Sequence, residues 1–473
     1  MTNSLMPSAL SALTDPLAPS DSQSAATFVL IYDQRPLPEG HLRFKQVLGR
    51  VRTRLQHFPQ FQRLLRSPSL LGKPQWALDN RFDVEFHVRH LALPKPGDWR
   101  QFCIQVARIH SRPLDMSRPP WEINVVEGLD NIPWLGEGHF AMICKVHQGL
   151  MDPQQAMDLI WSLHDEISPA PSNSTRRPVA MLPVTAMLGS GLNFALRPVE
   201  EAAAQTRNAL RRTSESLSPI MRFYHGVLTG GVRVPYTRFN TDVSNYRVWQ
   251  SYSMALDKLG RLRKAVADAE ESDILLAVIS GALRLYFEDK TEMAPRELRA
   301  LMPSFTATGE PAPLQASRDI VDLALHTDDP VERLQQLIRN RAQARTGSPV
   351  TPPDTRSPTR SMTDAIRLTL EAQRAKAGMP LANTALIDLG GDAQDLHLMD
   401  APLVYFSGVS EITNGLGLVH VASRHNRYLN LSVTSCREML PDPDFYYECL
   451  ERSFEELLSA VAKPQNRKKK DNV

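Results

Sequence analysis

Apolar residues fall into two alternating kinds of segment along the first half of the chain. Phe28-Val29-Leu30-Ile31-Tyr32 is a short β-rich run, and Leu42 to Leu65 is a long stretch of helical amphipathic period. Trp76 to Leu93 and Trp121 to Val126 read as further strands, with a helical segment from Arg100 to His110 between them. Phe140 to Val146 is a mostly apolar run, short enough for a buried strand, and it stops at His147. Strand follows helix repeatedly, which predicts an α/β (α+β) mixture.

From Ser168 to about Pro235 strand signals fade, and Pro, Ser, Ala and Arg dominate around a helical centre. This stretch reads as a connector. Beyond it the pattern predicts a strand at Val248 to Met254 and helices from Asp273 to Tyr286 and from Pro330 to Arg345, and hence a second domain. Gly347 to Ser361, dense in Pro, Thr, Ser and Arg, reads as an exposed or disordered loop, and Lys468 to Lys470 as a solvated tail. The expected organisation is a first domain over 1–167, a helical connector over 168–235, a second domain over 236–462 and a basic tail over 463–473.

Length agrees with that division, because 473 residues exceed one ordinary core. A net charge of +2 with 22% charged residues gives no strongly basic surface, so no nucleic-acid partner is expected. Cys103, Cys144, Cys436 and Cys449 are scattered without close pairs, which fits neither a disulfide framework nor a zinc cluster. A reducing cytoplasm is the simplest compartment. The first residues lack a basic region followed by an unbroken apolar stretch, so export is not expected. No window reaches the roughly 18 consecutive apolar residues of a spanning helix, so any membrane contact would be peripheral. The one segment suited to it is Met181 to Leu196, ringed by Arg176, Arg177, Arg197, Arg207, Arg211 and Arg212. Such a basic amphipathic stretch can lie on an anionic membrane or a lipid inclusion, although a linker helix packed on its own domains is the favoured reading.

Candidate chemistry is sparse by elimination. His87, His90 and His139 lie on or beside strands, where a lone histidine is more often structural than a ligand, and His420, His425 and Cys436 match no common zinc spacing. Neither Gly189-Ser190-Gly191 nor Ser407-Gly408 has the spacing of a hydrolase nucleophile elbow.

Several strings nevertheless occur in a specific order. Phe58-Pro59-Gln60-Phe61, Leu71 to Trp76, Phe82 to Arg89 and Leu93-Pro94-Lys95-Pro96-Gly97 lead to the strongest, Pro113-Leu114-Asp115-Met116-Ser117-Arg118-Pro119-Pro120-Trp121-Glu122. Asn240 to Arg247, Ser272-Asp273 with Gly281 to Arg284, Pro303-Ser304 and Asp329 to Leu334 follow. In these strings the chain resembles the bacterial wax ester synthase/diacylglycerol acyltransferase family along almost its whole length. Ser272-Asp273 stands where that family usually has Asn-Asp, and Ile387-Asp388-Leu389-Gly390-Gly391 where it usually has Ser-Asn-Val-Pro-Gly-Pro. The resemblance implies two domains of the CoA-dependent acyltransferase kind, each a mixed sheet flanked by helices, with a tunnel between them. It further implies acyl-CoA as co-substrate, no bound cofactor, and a long-chain alcohol or diacylglycerol as acceptor. Pro113, Leu114, Asp115, Trp121, Glu122, Ser272 and Asp273 would be structural motif positions. Homo- or hetero-oligomers are left open.

The family's central motif is His-His-x-x-x-Asp-Gly, and its counterpart here runs from His147 through Gln148, Gly149, Leu150 and Met151 to Asp152 and Pro153. In the family the second histidine takes the proton of the acceptor hydroxyl, whose oxygen then attacks the thioester carbonyl. Imidazole can do this near neutral pH, whereas the carboxamide of Gln148 can only hydrogen-bond. A positioned general base contributes about 10²- to 10⁴-fold, roughly 3 to 5 kcal/mol, so strong impairment is expected. His147 is the available substitute, but consecutive strand residues point to opposite sides, which turns its ring away from position 148. Asp152, Pro153 and Gln155 have the chemistry of N-cap, N1 and N3 of a helix, and the resemblance makes the aspartate a loop anchor. Pro153 fixes φ and lacks an N–H, unlike the glycine it replaces. Two alternatives stand beside an acyltransferase: a non-catalytic acyl-chain or CoA-binding or regulatory relative, and a condensation-domain-like protein of the same two-lobed build.

Overall fold

A computed structural model describes residues 25–66, 75–147, 150, 153–165, 234–292, 297–306, 315–347, 380, 382–392 and 395–462. The chain opens with β1 (Ala25–Asp33), buried along its whole length, followed by helix α1 (Phe44–Leu55). The helix expected to reach Leu65 ends ten residues early. Pro59 cannot continue it and biases Phe58 out of the helical region, so the chain makes a 3-10 turn over Pro59–Gln62 and then β2 (Arg63–Arg66). The expected Trp76–Leu93 strand is likewise broken, into β3 (Gln75–Leu78) and β4 (Val88–Ala92). Between them the Asp79 and Asp83 carboxylates accept from the Arg81 and Glu85 amides, each at 3.0 Å, and turn the chain.

Helix α2 (Trp99–Ser111) starts on a reciprocal cap, Asp98 accepting from the Gln101 amide at 2.8 Å while the Gln101 side chain accepts from the Asp98 amide at 3.2 Å. Next come β5 (Trp121–Glu127), β6 (His139–His147) and helix α3 (Pro153–Ser162), which opens on Pro153. The second half supplies β7 (Arg247–Ala255), α4 (Leu256–Ala265), α5 (Glu271–Asp289), β8 (Arg299–Thr306), β9 (Gln315–Asp322) and α6 (Pro330–Gly347). It ends with β10 (Thr384–Asp392), β11 (His397–Leu398), β12 (Ala401–Val409), β13 (Leu418–His425), β14 (Tyr428–Cys436) and α7 (Pro443–Ala462).

These strands form two six-stranded mixed sheets, ordered β11-β12-β1-β6-β5-β4 and β7-β14-β13-β10-β8-β9. The first sheet is not built from the first half alone. Residues of the C-terminal half cross over, and β12 pairs antiparallel with β1 from Thr27↔Val409 to Tyr32↔Leu403. One face of this sheet, carrying Phe28, Leu30, Phe140 and Met142, packs under Val47 and Val51 of α1 and Met157 and Ile160 of α3. The opposite face, carrying Val29, Ile31, Ala141 and Ile143, packs on Phe102, Val106 and Ile109 of α2, and Trp249 of the second sheet joins this core. The two lobes therefore share apolar packing on that face.

Candidate active site

Strand β6 delivers the central motif. It lies between β1 and β5, antiparallel to both, with Ala25 opposite His147, Thr27 and Glu122 opposite Lys145, and Trp121 opposite Val146. Successive side chains alternate in face, so Lys145 and His147 share the α2 side. Both are buried. The Lys145 ammonium donates to the carbonyl oxygens of Ile109 at 3.3 Å, His110 at 2.7 Å and Arg112, the end of α2. Burial pushes Lys145 down to about 8, against the opposing pull of Glu122 and Glu411. The His147 imidazole is pushed down to about 4, first by burial and then by the Lys145 charge. It is a neutral ring at neutral pH. Beside them His110 Nδ1 meets the Thr27 hydroxyl at 2.9 Å, and burial likewise depresses His110.

The Pro113–Glu122 string fills the link from α2 to β5, and its end is locked to β6. The His147 amide donates to the Pro120 carbonyl at 2.9 Å, and the Leu150 amide to the His147 carbonyl at 3.0 Å. Trp121 anchors the link from below: its indole N–H donates to the Phe61 carbonyl at 2.8 Å, and its ring stacks on His87 with centroids 4.4 Å apart. His87 Nδ1 meets the Trp121 carbonyl at 2.9 Å. Asp115 accepts from the Ser117 amide at 3.0 Å and hydroxyl at 2.6 Å, a local turn. Leu114, Asp115, Trp121 and Glu122 line a cavity of about 220 Å³ with Arg89 and Arg118, and Arg89 lies 3.5 Å from Glu122. Two strings far apart in meaning when read along the chain are thus neighbouring strands of one sheet.

Other expected site residues lie elsewhere. Ser272 and Asp273 open α5 in the second lobe. Asp273 is fully buried and holds Arg341 by two bonds of 2.5 and 2.8 Å, while accepting from the Glu270 amide at 2.8 Å. That pairing pins α5 to α6. Ile387 to Gly391 forms a bulged stretch of β10, where Gly391 at φ 132 lies so close to Arg424 that an added Cβ would meet its carbonyl oxygen at 1.9 Å. His420 sits between the Thr384 hydroxyl at 3.0 Å and the Tyr446 hydroxyl at 2.9 Å, and His425 Nε2 meets the Leu403 carbonyl at 2.5 Å. Among the described residues no group of three or more His, Cys, Asp or Glu is placed to hold a metal. Gln148, Gly149, Met151 and Asp152 lie outside the described residues, as do nearly all of the 168–235 connector with its Met181–Leu196 stretch, most of Gly347–Ser361 and the lysine tail. No helix of the described residues is long and apolar enough to cross a membrane.

The sequence reading passed over Lys145, His110, Thr27, Glu411 and Arg247. Lys145 carried a usable signal, a lysine inside an apolar strand run two residues before the motif. Arg247 closes the Asn240–Arg247 string, whereas Glu411 carried none. Glu411 follows β12, whose crossover places it among the charges that act on both Lys145 and Arg247.

Two mixed sheets sharing a core, with a motif strand central to one of them, define a two-lobed acyltransferase-type fold. The family model of the wax ester synthase/diacylglycerol acyltransferase catalytic domain matches residues 11–274, and that of the WS/DGAT C-terminal domain matches residues 317–458. The chain belongs to the wax ester synthase/diacylglycerol acyltransferase family. A probable diacylglycerol O-acyltransferase of Mycobacterium tuberculosis is 28% identical over 421 residues, covering 85% of this chain and 88% of its own. The wax ester synthase/diacylglycerol acyltransferase from Marinobacter aquaeolei VT8 superposes with a TM-score of 0.65 at 21% identity, covering 94% of this chain and 99% of its own. The starter condensation domain of rhizomide synthetase, solved with C8-CoA, superposes with a TM-score of 0.51 at 13% identity, covering 98% of this chain and 94% of its own. The last two show the shared fold.

Proposed function

We propose that this chain binds acyl-CoA and is built for O-acyl transfer to a long-chain alcohol or diacylglycerol, at a rate strongly depressed by Gln148. The curated relatives named as diacylglycerol O-acyltransferases support the acceptor class, and a structural neighbour solved with C8-CoA supports the donor. In the reaction the acceptor oxygen bonds to the acyl carbon, the C–S bond breaks, and the hydroxyl proton ends on the CoA thiol. A base must hold that proton in transit.

One observation carries the reading: the residue that follows the last position of β6 is a glutamine. Its carboxamide takes up no proton near neutral pH. His147 is a poor replacement, since a ring moved from 6.5 to about 4 is a base weaker by about 300-fold, and it shares the face of Lys145 and the α2 terminus. Asp152 is the family's loop anchor in this reading, and Pro153 takes the place of the glycine that follows it in the family motif.

The test is transfer from palmitoyl-CoA to hexadecanol and to diacylglycerol by the native chain and by Gln148→His. Gain of turnover in Gln148→His by about 10²-fold or more supports the lost base. Native turnover that is equal to that of Gln148→His and lost in His147→Ala would overturn it. Saturable acyl-CoA binding without turnover by either chain would instead establish the non-catalytic binding reading.

A further inference from the structure

We propose that Lys145 is a positioning residue of the acyl-transfer site: its buried ammonium, facing Glu122 across the β5–β6 pair, ties the end of α2 and the Pro113–Glu122 link to the strand that ends at His147. The inference rests on the acyltransferase reading for its purpose, although its geometry stands apart from it.

Lys145 is wholly buried, and its three donors are all taken by carbonyls of the last turn of α2 and the residue after it. An ammonium so engaged cannot serve as a base. Cations stabilise helix C-termini, where the last carbonyls lack intrahelical partners, but a surface lysine or water would satisfy them more cheaply than a buried charge. The location is what the simple capping role leaves unaccounted for. Lys145 stands two residues before His147 on one face, opposite Thr27 on β1 and Glu122 on β5. Its first carbonyl contacts, Ile109 and His110, precede Pro113 by only a few residues, and the far end of the Pro113–Glu122 link returns to β6 through Pro120 and the His147 amide at 2.9 Å. The link is therefore held to β6 at both ends, by Lys145 at its start and by His147 at its finish. Glu122, Glu411, Arg112 and Arg247 are the charges that act on the ammonium, so one anion comes from each half of the chain. Removing Lys145 frees the start of the link and loosens its hold on β6 at 147, where a small misplacement costs rate far more than affinity.

The experiment uses the full chain, native and with Gln148→His, each carrying Lys145→Met, Lys145→Arg or Glu122→Gln. Amide hydrogen exchange is followed over 113–122 and 147, with 418–436 of the far sheet as reference. Lys145→Met should speed exchange in the first two segments by about tenfold or more and leave the reference unchanged, and Lys145→Arg should recover most of it. In the Gln148→His chain Lys145→Met should lower kcat by about 10²-fold with KM little changed. The His147 ring, followed by NMR, should titrate at higher pH once the lysine charge is gone, a response that a purely space-filling role would not give. A folded Lys145→Met protein with native exchange at 113–122, or equal loss in Lys145→Arg, would overturn the proposal. Should Lys145→Met fail to fold, Glu122→Gln and Lys145→Arg decide it by the same exchange readout. Failure of Gln148→His to turn over touches the proposed function and leaves the exchange result standing.

Discussion

Acid should unfold this protein well before its carboxylates are protonated. Burial pushes His147 and His164 down to about 4 and His420 to about 3, against 6.5 for a free imidazole. The sign follows from which state takes the proton. Between 6.5 and the lowered value the unfolded chain binds a proton that the folded one refuses, so stability is full above 6.5 and is lost as pH falls toward 4. At pH 5 each ring costs the folded state about 2 kcal/mol relative to pH 8, or about 6 kcal/mol for the three. His87, His110 and His139 are depressed in the same direction and add to it. A typical stability of roughly 5 to 15 kcal/mol leaves little margin. The carboxylates held low, among them Asp33, Asp115 and Glu270, act in a lower window and do not confuse the result. Guanidinium unfolding at pH 8, 7, 6 and 5, read by circular dichroism, measures the slope directly. His420→Gln, which can still bond Thr384 and Tyr446 but cannot take up the proton, should reduce the loss between pH 8 and 5 by about 2 kcal/mol. Stability constant within about 1 kcal/mol from pH 8 to 5 would refute the premise that these rings are buried neutral.

Three substitutions probe the scaffold around the site. Asp273→Ala removes one side of a buried pair and leaves Arg341 with Glu270 alone, so it should cost about 3 kcal/mol in equilibrium unfolding, and Asp273→Ala with Arg341→Met should recover part of that. Trp121→Phe strips the Phe61 carbonyl of its indole donor and should cost about 1 to 3 kcal/mol, seen as a lower melting temperature. Gly281→Leu would drive a side chain into Ser453, whose Oγ lies 2.2 Å from an ideal Cβ, and should part α5 from α7 at a cost of about 1 to 3 kcal/mol or more; unchanged unfolding would show that the helices can move apart freely.

What the sequence made legible was local. The Phe28–Tyr32 and Phe140–Val146 runs, the Arg100–His110 helix and the Asp273–Tyr286 helix announce themselves by period, and all four are present with longer ends. Leu42 to Leu65 misled because its apolar positions keep a helical spacing through His57-Phe58-Pro59, where proline chemistry overrides the pattern. The capping box at Asp98 and Gln101 and the turns at Asp79 and Asp83 are short-range signals of the same kind, readable once looked for. Pairing is another matter. Nothing in Ala401–Val409 says that its partner is β1, nearly four hundred residues earlier, because a strand records its faces in sequence but not its neighbour. Lys145 was hidden by its company, a single charge in a run counted as apolar.

The crossover also sets what joins the two lobes. Strand β12 gives its backbone to the first sheet, while the indole of Trp249 on the second donates to the Gly408 carbonyl of that same strand at 3.2 Å. Trp99 of α2 reaches Gln250 of β7 at 2.6 Å, and Trp99, Trp249 and Tyr405 pack ring against ring. The junction of the lobes is thus made of backbone pairing and aromatic burial, neither of which needs a base at position 148. Restoring the imidazole should leave unfolding unchanged within about 0.5 kcal/mol, since the position follows the strand's last paired residue. A large stability change in Gln148→His would mean that the glutamine has become part of the frame itself.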